Sequence, residues 1–285
     1  MNTLPLQIRP SDRDSLGHIN NAAYMTYVEL AIAEFLGEHG FAVDWRDGSP
    51  YQWLMEELAV EYRLAASYGD QIAAHVWLAE ADERRPVFGC QIYRADGARQ
   101  QAVIRLRSRW RRWHKSTSEA MKLPQTFLAT AGQEAGDLPR PFSVPVEAPQ
   151  AHRYRWRHQI QRNEVGLGGW IHPHVLFEWV EESILHASDE AGWPVERCLA
   201  SDFVVFQMRH DASIVSWPLL GDTIEVVSRL INVRRLRGTW HNEIRSAADN
   251  RLLATDYSTG IFLNLEGRPT SAPPGMMEAL QDPAN

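Results

Sequence analysis

Apolar side chains return with helical spacing at Tyr24, Tyr27, Val28, Ala31 and Phe35, and Gly37 and Gly40 mark an end to the run. This predicts one long helix. Leu4 to Pro10 before it reads as a short strand, and after it the period of the pattern falls to two. Leu58 to Leu64, Gln71 to Glu80 and Val87 to Arg94 are strand candidates, the last leading through the hairpin signal Ala95-Asp96-Gly97 to Ala102 to Trp113. The succession then returns. A strand at His152 to Gln161, a polar loop with glycines and a second helix precede Asp202 to His210, Thr223 to Val233, Thr239 to Ser246 and Leu252 to Leu263, with Asp249-Asn250 at the matching turn. One long helix with a largely antiparallel sheet, twice over, is an α+β architecture.

The two halves share a register. "GDQI" at Gly69 to Ile72 recurs as "GDTI" at Gly221 to Ile224, an offset of 152 residues. Without a gap the same offset places Ile8 on Ile160, Gly17 on Gly169, Ile19 on Ile171, Tyr27 on Trp179, Val28 on Val180, Glu29 on Glu181 and Ile32 on Ile184. Further on, Leu78 meets Leu230, Phe88 meets Trp240 and Ile92 meets Ile244. We read a tandem duplication. Domain 1 spans 1–115, a Pro-rich connector with "GDLPRPFSVPVEAP" spans 116–150, domain 2 spans 151–270, and 271–285 is a C-terminal tail.

Composition narrows the class. The chain has 285 residues, 44% hydrophobic and 23% charged, which suits ordered globular domains rather than disorder. No run reaches the roughly 18–20 apolar residues of a membrane helix, and the start lacks a leader pattern, so the expectation is a cytoplasmic protein with no membrane partner. Cys90 and Cys198 have no CxxC spacing and read as small buried hydrophobes. A net charge of −7 argues against nucleic acid as the main partner. Against that balance, Arg105, Arg107, Arg109 and Arg111 stand at period two on one face of a strand.

"DRDSLGHINNAAYMTYVELA" (12–31) carries the candidate chemistry. It resembles the N-terminal motif of hotdog-fold thioesterases of the 4-hydroxybenzoyl-CoA and acyl-ACP thioesterase type: an Asp, then G-H-x-N-N, then Y-x-x-Y/F-x-E-x-A on the central helix. The "YGDQI" strand start and the "ADG" hairpin are similar too. The resemblance covers about Leu6 to Trp113, and more weakly Tyr154 to Leu263. It implies a double hotdog in which the two copies form an internal pseudo-dimer, like the plant acyl-ACP thioesterases, with a homodimer of such chains as a further option. It also implies an acyl-CoA or acyl carrier protein thioester as substrate. No cofactor is expected, and the His172-x-His174 pair, which could suggest a metal, is weak as a metal site because no suitably spaced Cys or third ligand accompanies it.

Thioester hydrolysis needs a carboxylate to attack the carbonyl or activate water, donors for the oxyanion, and a dry pocket for the acyl chain. By the resemblance Asp14 is the carboxylate, as nucleophile or general base. His18 orients water, polarises the carbonyl or holds the asparagines. Asn20 and Asn21 stand at the helix start, where free N–H groups favour an anionic oxygen, although Asn is equally a helix cap there. Glu29 is the remaining catalytic candidate. Its place is kept by Glu181 in the second copy, which favours a structural role in both helices. Gly17, Tyr24, Tyr68, Arg107 and Arg109 are the candidate substrate contacts. The arginines attract coenzyme A phosphates or an acidic carrier protein, or else form the solvated face of the sheet.

The second copy lacks the loop chemistry: Asp14 meets Gly166, His18 meets Trp170, Asn20 meets His172 and Asn21 meets Pro173. Glu164, His172 and His174 are candidates for a rebuilt site there, and Trp170, Phe177 and Trp179 for shaping an acyl pocket or plain core. Two other functions stay open beside hydrolysis. One is a non-catalytic acyl-CoA-binding hotdog protein, the other a hotdog dehydratase or hydratase.

Overall fold

The computed structural model describes residues 3–14, 18–41, 50–96, 99–117, 119–141, 151–166 and 169–282. The chain divides into two compact units, Met1–Arg140 and Pro141–Asn285, each with its own long helix and antiparallel sheet. Among the described residues no helix is long and apolar enough to cross a membrane.

Unit 1 runs β1 (Leu4–Leu6), a 3-10 turn (Pro10–Asp12), α1 (Asn21–Glu38), β2 (Tyr51–Tyr62), β3 (Ile72–Glu80), β4 (Val87–Asp96), β5 (Arg99–His114), β6 (Glu119–Ala120) and α2 (Gln125–Leu128). Its strand order is β1-β3-β4-β5-β2, with β6 beside β5. Helix α1 forms where the pattern predicts it, because Tyr24, Met25, Tyr27, Val28, Ala31, Ile32 and Leu36 make one buried face. Asn20 caps its start, its Oδ1 accepting from Ala22 N at 2.7 Å. Ala74, Val76 and Leu78 of β3, Cys90 and Ile92 of β4, and Ile104 and Leu106 of β5 are buried with it.

The other face of this sheet is polar and partly covered. Directly opposed residues His75, Gln91, Arg105 and Glu61 form one row across β3, β4, β5 and β2. The chain after α2 crosses that row. Glu134 meets His75 at 2.7 Å, Gln91 donates to Asp137 O at 2.9 Å, Asp137 pairs with Arg105 at 2.7 Å and Arg140 N donates to Glu61 at 3.0 Å. Gly89 is required beneath this segment, since a Cβ there would lie 2.2 Å from the Trp77 indole. Unit 1 thus reaches Arg140, past the 115 boundary at which the alternating pattern fades. The cause is local: Leu123, Phe127 and Leu128 are buried, with Phe127 packed edge-on against Phe41 at 4.9 Å.

Unit 2 runs β7 (Tyr154–Gln159), a 3-10 turn (Arg162–Glu164), α3 (Pro173–Glu190), α4 (Val195–Ala200), β8 (Val204–Ile214), β9 (Thr223–Arg234), β10 (Arg237–Ser246), β11 (Leu252–Leu263) and α5 (Met276–Gln281). Its order, β7-β9-β10-β11-β8, repeats that of unit 1. Helix α3 spans the residues 152 places after those of α1. One strand departs from the offset: Ile92 faces Ile104 whereas Ile244 faces Ala254, so β11 matches β5 at an offset of 150. The segment read as a tail holds α5, whose Met276 and Leu280 join a core cluster with Trp193, Phe203, Leu230 and Phe262.

Candidate active site

The loop before α1 is built from backbone hydrogen bonds. Asp14 N donates to His18 O at 2.8 Å, and His18 N returns a bond to Asp14 Oδ1 at 3.0 Å. Arg13 bridges Ile19, and His18 bridges Ser67 at the start of the "YGDQI" turn. Ile19 N donates to Ala66 O at 3.0 Å, and Ala66 N donates to the Tyr24 hydroxyl at 3.3 Å. Tyr62 OH donates to Asn21 O at 3.3 Å. Asp14, His18, Asn20, Asn21 and Tyr24 are therefore gathered around the N-terminus of α1. Gly17 lies outside the described residues. Glu29 is half-buried further along α1, as is Glu181 on α3.

The remaining candidates lie elsewhere in unit 1. Tyr68 is 59% exposed, with the Arg13 guanidinium 5.6 Å from its ring centre, and it lines an open cleft of about 530 Å³ with Pro5, Gln7, Asp70 and Tyr93. Because Ser67 bridges His18, this cleft begins beside the loop. Arg107 and Arg109 sit on the outer face of β5 and are neutralised there. Arg107 meets Glu80 at 2.6 Å, Arg109 meets Glu57 at 3.0 Å and Arg111 meets Glu56 at 2.5 Å. Such partly exposed pairs contribute little: Arg107→Gln should change the unfolding free energy by less than about 1 kcal/mol in a denaturant titration. Affinity for acyl-CoA that falls steeply with salt would instead give the row a phosphate-binding role.

Asp12, the first aspartate of D-x-D, has a different task from Asp14. It is buried, and its carboxylate accepts from Arg9 N at 2.7 Å, Arg9 Nε at 3.0 Å and Tyr27 OH at 2.5 Å. Its backbone oxygen accepts from Asn20 N at 2.8 Å, which closes the loop from behind. Unit 2 repeats the arrangement with different side chains. Glu164 accepts from Gln161 N at 2.5 Å, from Trp179 Nε1 at 2.8 Å and contacts His158 at 2.8 Å, while His172 N donates to Glu164 O at 3.0 Å. Glu164 and Trp179 thus hold the fold, and His172 and His174 stack on each other with ring centres 5.5 Å apart.

The charge states follow from these contacts. Burial alone would raise the Asp12 carboxyl, but the hydrogen bonds from Arg9 and Tyr27 outweigh it and hold it below its ordinary range. Glu164 is lowered in the same way, with burial opposed by Gln161, His158 and Trp179. Burial, followed by the bond to Asp12, raises Tyr27. A depressed carboxyl stabilises the native state above its unfolded pKa and loses that contribution as pH falls through the folded value. Stability should therefore drop below about pH 4, and Asp12→Asn should flatten that drop in denaturation curves taken across acid pH.

Comparison with known proteins agrees with this geometry. Residues 8–131, which contain the loop, α1 and strands β2 to β6 of unit 1, match the family model described as the Thioesterase-like superfamily. A search of curated proteins found no match. Among solved structures, a putative oleoyl thioesterase from Lactobacillus plantarum is similar with a TM-score of 0.71 at 13% identity, covering 92% of this chain and 96% of that one. An acyl-ACP thioesterase from Bacteroides thetaiotaomicron gives 0.68 at 14% identity, covering 92% and 97%. The 12:0-ACP thioesterase from Umbellularia californica gives 0.68 at 9% identity, covering 90% and 95%. These likenesses show the fold along most of the chain. Over less than half of the chain the matched stretch is similar to the thioesterase-like proteins, a match that points to thioester hydrolysis, and the solved structures add the fold.

Proposed function

We propose that the chain is a double hotdog that hydrolyses acyl thioesters of coenzyme A or of acyl carrier protein. Asp14 is the carboxylate, as nucleophile or as the base that activates water. The observation that carries this reading is a comparison of the two loops. The turn closes in both units, with Asp14 N to His18 O at 2.8 Å in one and Gly166 N to Trp170 O at 3.0 Å in the other. Glycine at 166 shows that this turn forms without a carboxylate. Asp14 is therefore more than the turn requires, whereas Asp12 has a counterpart in Glu164 that does the same structural work.

Around Asp14 the other groups take supporting roles. Asn20 Oδ1 is committed to the cap, so the oxyanion falls to first-turn amides of α1, where the helix dipole favours negative charge. His18 holds the carboxylate through its backbone N–H, Tyr68 lines the cleft, and buried Tyr24 braces the loop by accepting from Ala66 N. The acyl chain length and the choice of carrier follow from the substrate test. Free thiol release should be measured over acyl-CoAs of several chain lengths, with loss of enoyl absorbance followed in parallel. Thiol release with turnover is the expected result. Binding without release would favour a non-catalytic acyl-CoA binder, and enoyl consumption would favour a hydratase.

A further inference from the structure

Unit 1 opens its sheet edge at a place where unit 2 keeps it closed. In both units the first strand pairs with the strand that follows the Gly-Asp turn, β1 with β3 and β7 with β9. In unit 2 the pairing runs on past Gln159 into the turn. Ile160 N donates to Asp222 O at 2.9 Å, and Gly221 N donates to Ile160 O at 3.3 Å. The offset of 152 makes Ile8, Gly69 and Asp70 the counterparts of Ile160, Gly221 and Asp222. Among the described residues neither bond has an equivalent there, and the ladder of unit 1 ends at Leu6 opposite Ile72.

The turn itself is the same in both copies, so the difference lies in the pairing. Asp70 N donates to Ser67 O at 3.0 Å and Asp222 N to Leu219 O at 3.1 Å, with Gly69 and Gly221 both at positive φ. Where the bonds are missing there is an open cleft. It measures about 530 Å³, and its lining includes both sides of the lost pairing, Ile8 as well as Gly69 and Asp70. β1 is the last strand in the order of the unit 1 sheet, so among the described residues no strand lies beyond it.

Backbone groups released from a ladder still require partners. The N–H groups of Ile8 and Gly69 can donate and the carbonyls of Ile8 and Asp70 can accept, which gives the cleft the donors and acceptors of a strand edge. The side chains around them carry little charge. Asp70 is the one acidic lining residue and is already engaged, pairing with Arg94 at 3.4 Å and accepting from Ser67 N at 2.9 Å. Among the described residues no lysine, arginine or histidine lines the cleft. Leu6 and the rings of Tyr68 and Tyr93 supply apolar wall. Such a lining suits an extended, uncharged chain that carries amides, and it does not suit a phosphate.

We propose that this cleft seats the pantetheine arm that coenzyme A and acyl carrier protein share. The proposal rests on the thioester-hydrolase reading, which supplies the substrate class. Pantetheine is an extended chain with two secondary amides and a dimethyl group. Its amides pair with the open edge as a strand would, and its methyl groups lie against the apolar wall. The thioester end points toward the loop, because the cleft begins where Ser67 bridges His18, whose backbone N–H holds Asp14. The two copies agree with this placement: the edge is open in the unit whose loop carries Asp14 and closed in the unit that has Gly166 there.

The probe is S-methylpantetheine, which has no free thiol and no thioester, titrated by calorimetry into the full chain as wild type, Ala73→Phe and Tyr68→Ala. Ala73 lines the cleft from β3, where phenylalanine suits a strand and adds a ring to the space. Wild type should bind the probe. Ala73→Phe should weaken binding by about tenfold or more and Tyr68→Ala by about threefold or more, both with wild-type circular dichroism. In thiol release, Ala73→Phe should raise KM by about tenfold for acyl-CoA and acyl-ACP alike. Adenosine bisphosphate and apo acyl carrier protein, the parts the two carriers do not share, are titrated beside the probe. If either binds wild type and is lost in Ala73→Phe while the probe is not, the cleft takes something other than pantetheine and the proposal is overturned. It is overturned equally if the probe does not bind wild type, or binds all three proteins with one affinity. Should Ala73→Phe fail to fold, largely exposed Tyr68 decides, and unchanged affinity in Tyr68→Ala overturns the proposal. The titration involves no turnover, so the two readings fail separately. A probe bound in the cleft of a chain that releases no thiol ends the hydrolase reading alone, whereas thiol release with probe affinity and KM unmoved by both substitutions ends the cleft proposal alone.

Discussion

Asp14→Asn lowers kcat for thiol release by about 100-fold to 10,000-fold, the range typical for removing a positioned acid or base. KM should change little, because the substitution keeps the shape of the side chain and leaves the loop's backbone bonds in place. Gly166 supplies the control inside the same chain: the homologous turn forms without any side chain at that position. A loss of activity should therefore come without a loss of stability. Steady-state kinetics paired with a thermal melt checks both halves of that statement. A fall in melting temperature that accounts for the lost activity would move Asp14 from chemistry to structure.

Asp12→Ala produces the opposite pattern. It removes a buried carboxylate that accepts from Arg9 and Tyr27, and it leaves the Tyr27 hydroxyl buried without that partner. The cost should be about 2–4 kcal/mol of unfolding free energy, since one side of a buried, charge-assisted network is lost while the other remains. Arg9 is largely exposed and can return to water, which keeps the estimate below that of a fully enclosed pair. Tyr27→Phe should recover part of the stability of the Asp12→Ala background, because it removes the orphaned hydroxyl. Urea titrations of the single and double variants give the coupling directly. Near-additive losses would show that the bond between Asp12 and Tyr27 contributes little.

Much of the fold was legible because the repeated signals have local physical causes. The GDQI and GDTI turns persist because Gly69 and Gly221 have positive φ, at 98° and 86°, and because Asp70 and Asp222 each accept a backbone N–H at 2.9 Å. Periodicity located α1 and α3 for the same kind of reason. The partners of Arg107 and Arg109 were not legible, since Glu57 and Glu80 stand on other strands and only sheet register brings them together. The task of Asp12 was hidden by its neighbour: D-x-D offers two carboxylates, and only the folded chain shows Tyr27 reaching one of them. The buried bond between Asn242 and Asp256 in unit 2, at 3.1 Å, was hidden more deeply. Asn242 lies between His241 and Glu243, and Asp256 between Thr255 and Tyr257, so alternation does not reveal which of these side chains points inward. A continuous 152-residue offset would also misalign Asp256, because the shorter hairpin shifts β11 by two residues against β5.

The difference between the two acidic turns can be measured on one substrate. Thiol release from a long-chain acyl-CoA should be followed for wild type, Asp14→Asn and Glu164→Gln at equal concentrations of folded protein. The account predicts that Asp14→Asn is nearly inactive, whereas Glu164→Gln turns over at close to the wild-type rate and melts at a lower temperature. Hydrolysis that is lost with Glu164→Gln but continues at the wild-type rate with Asp14→Asn would contradict it.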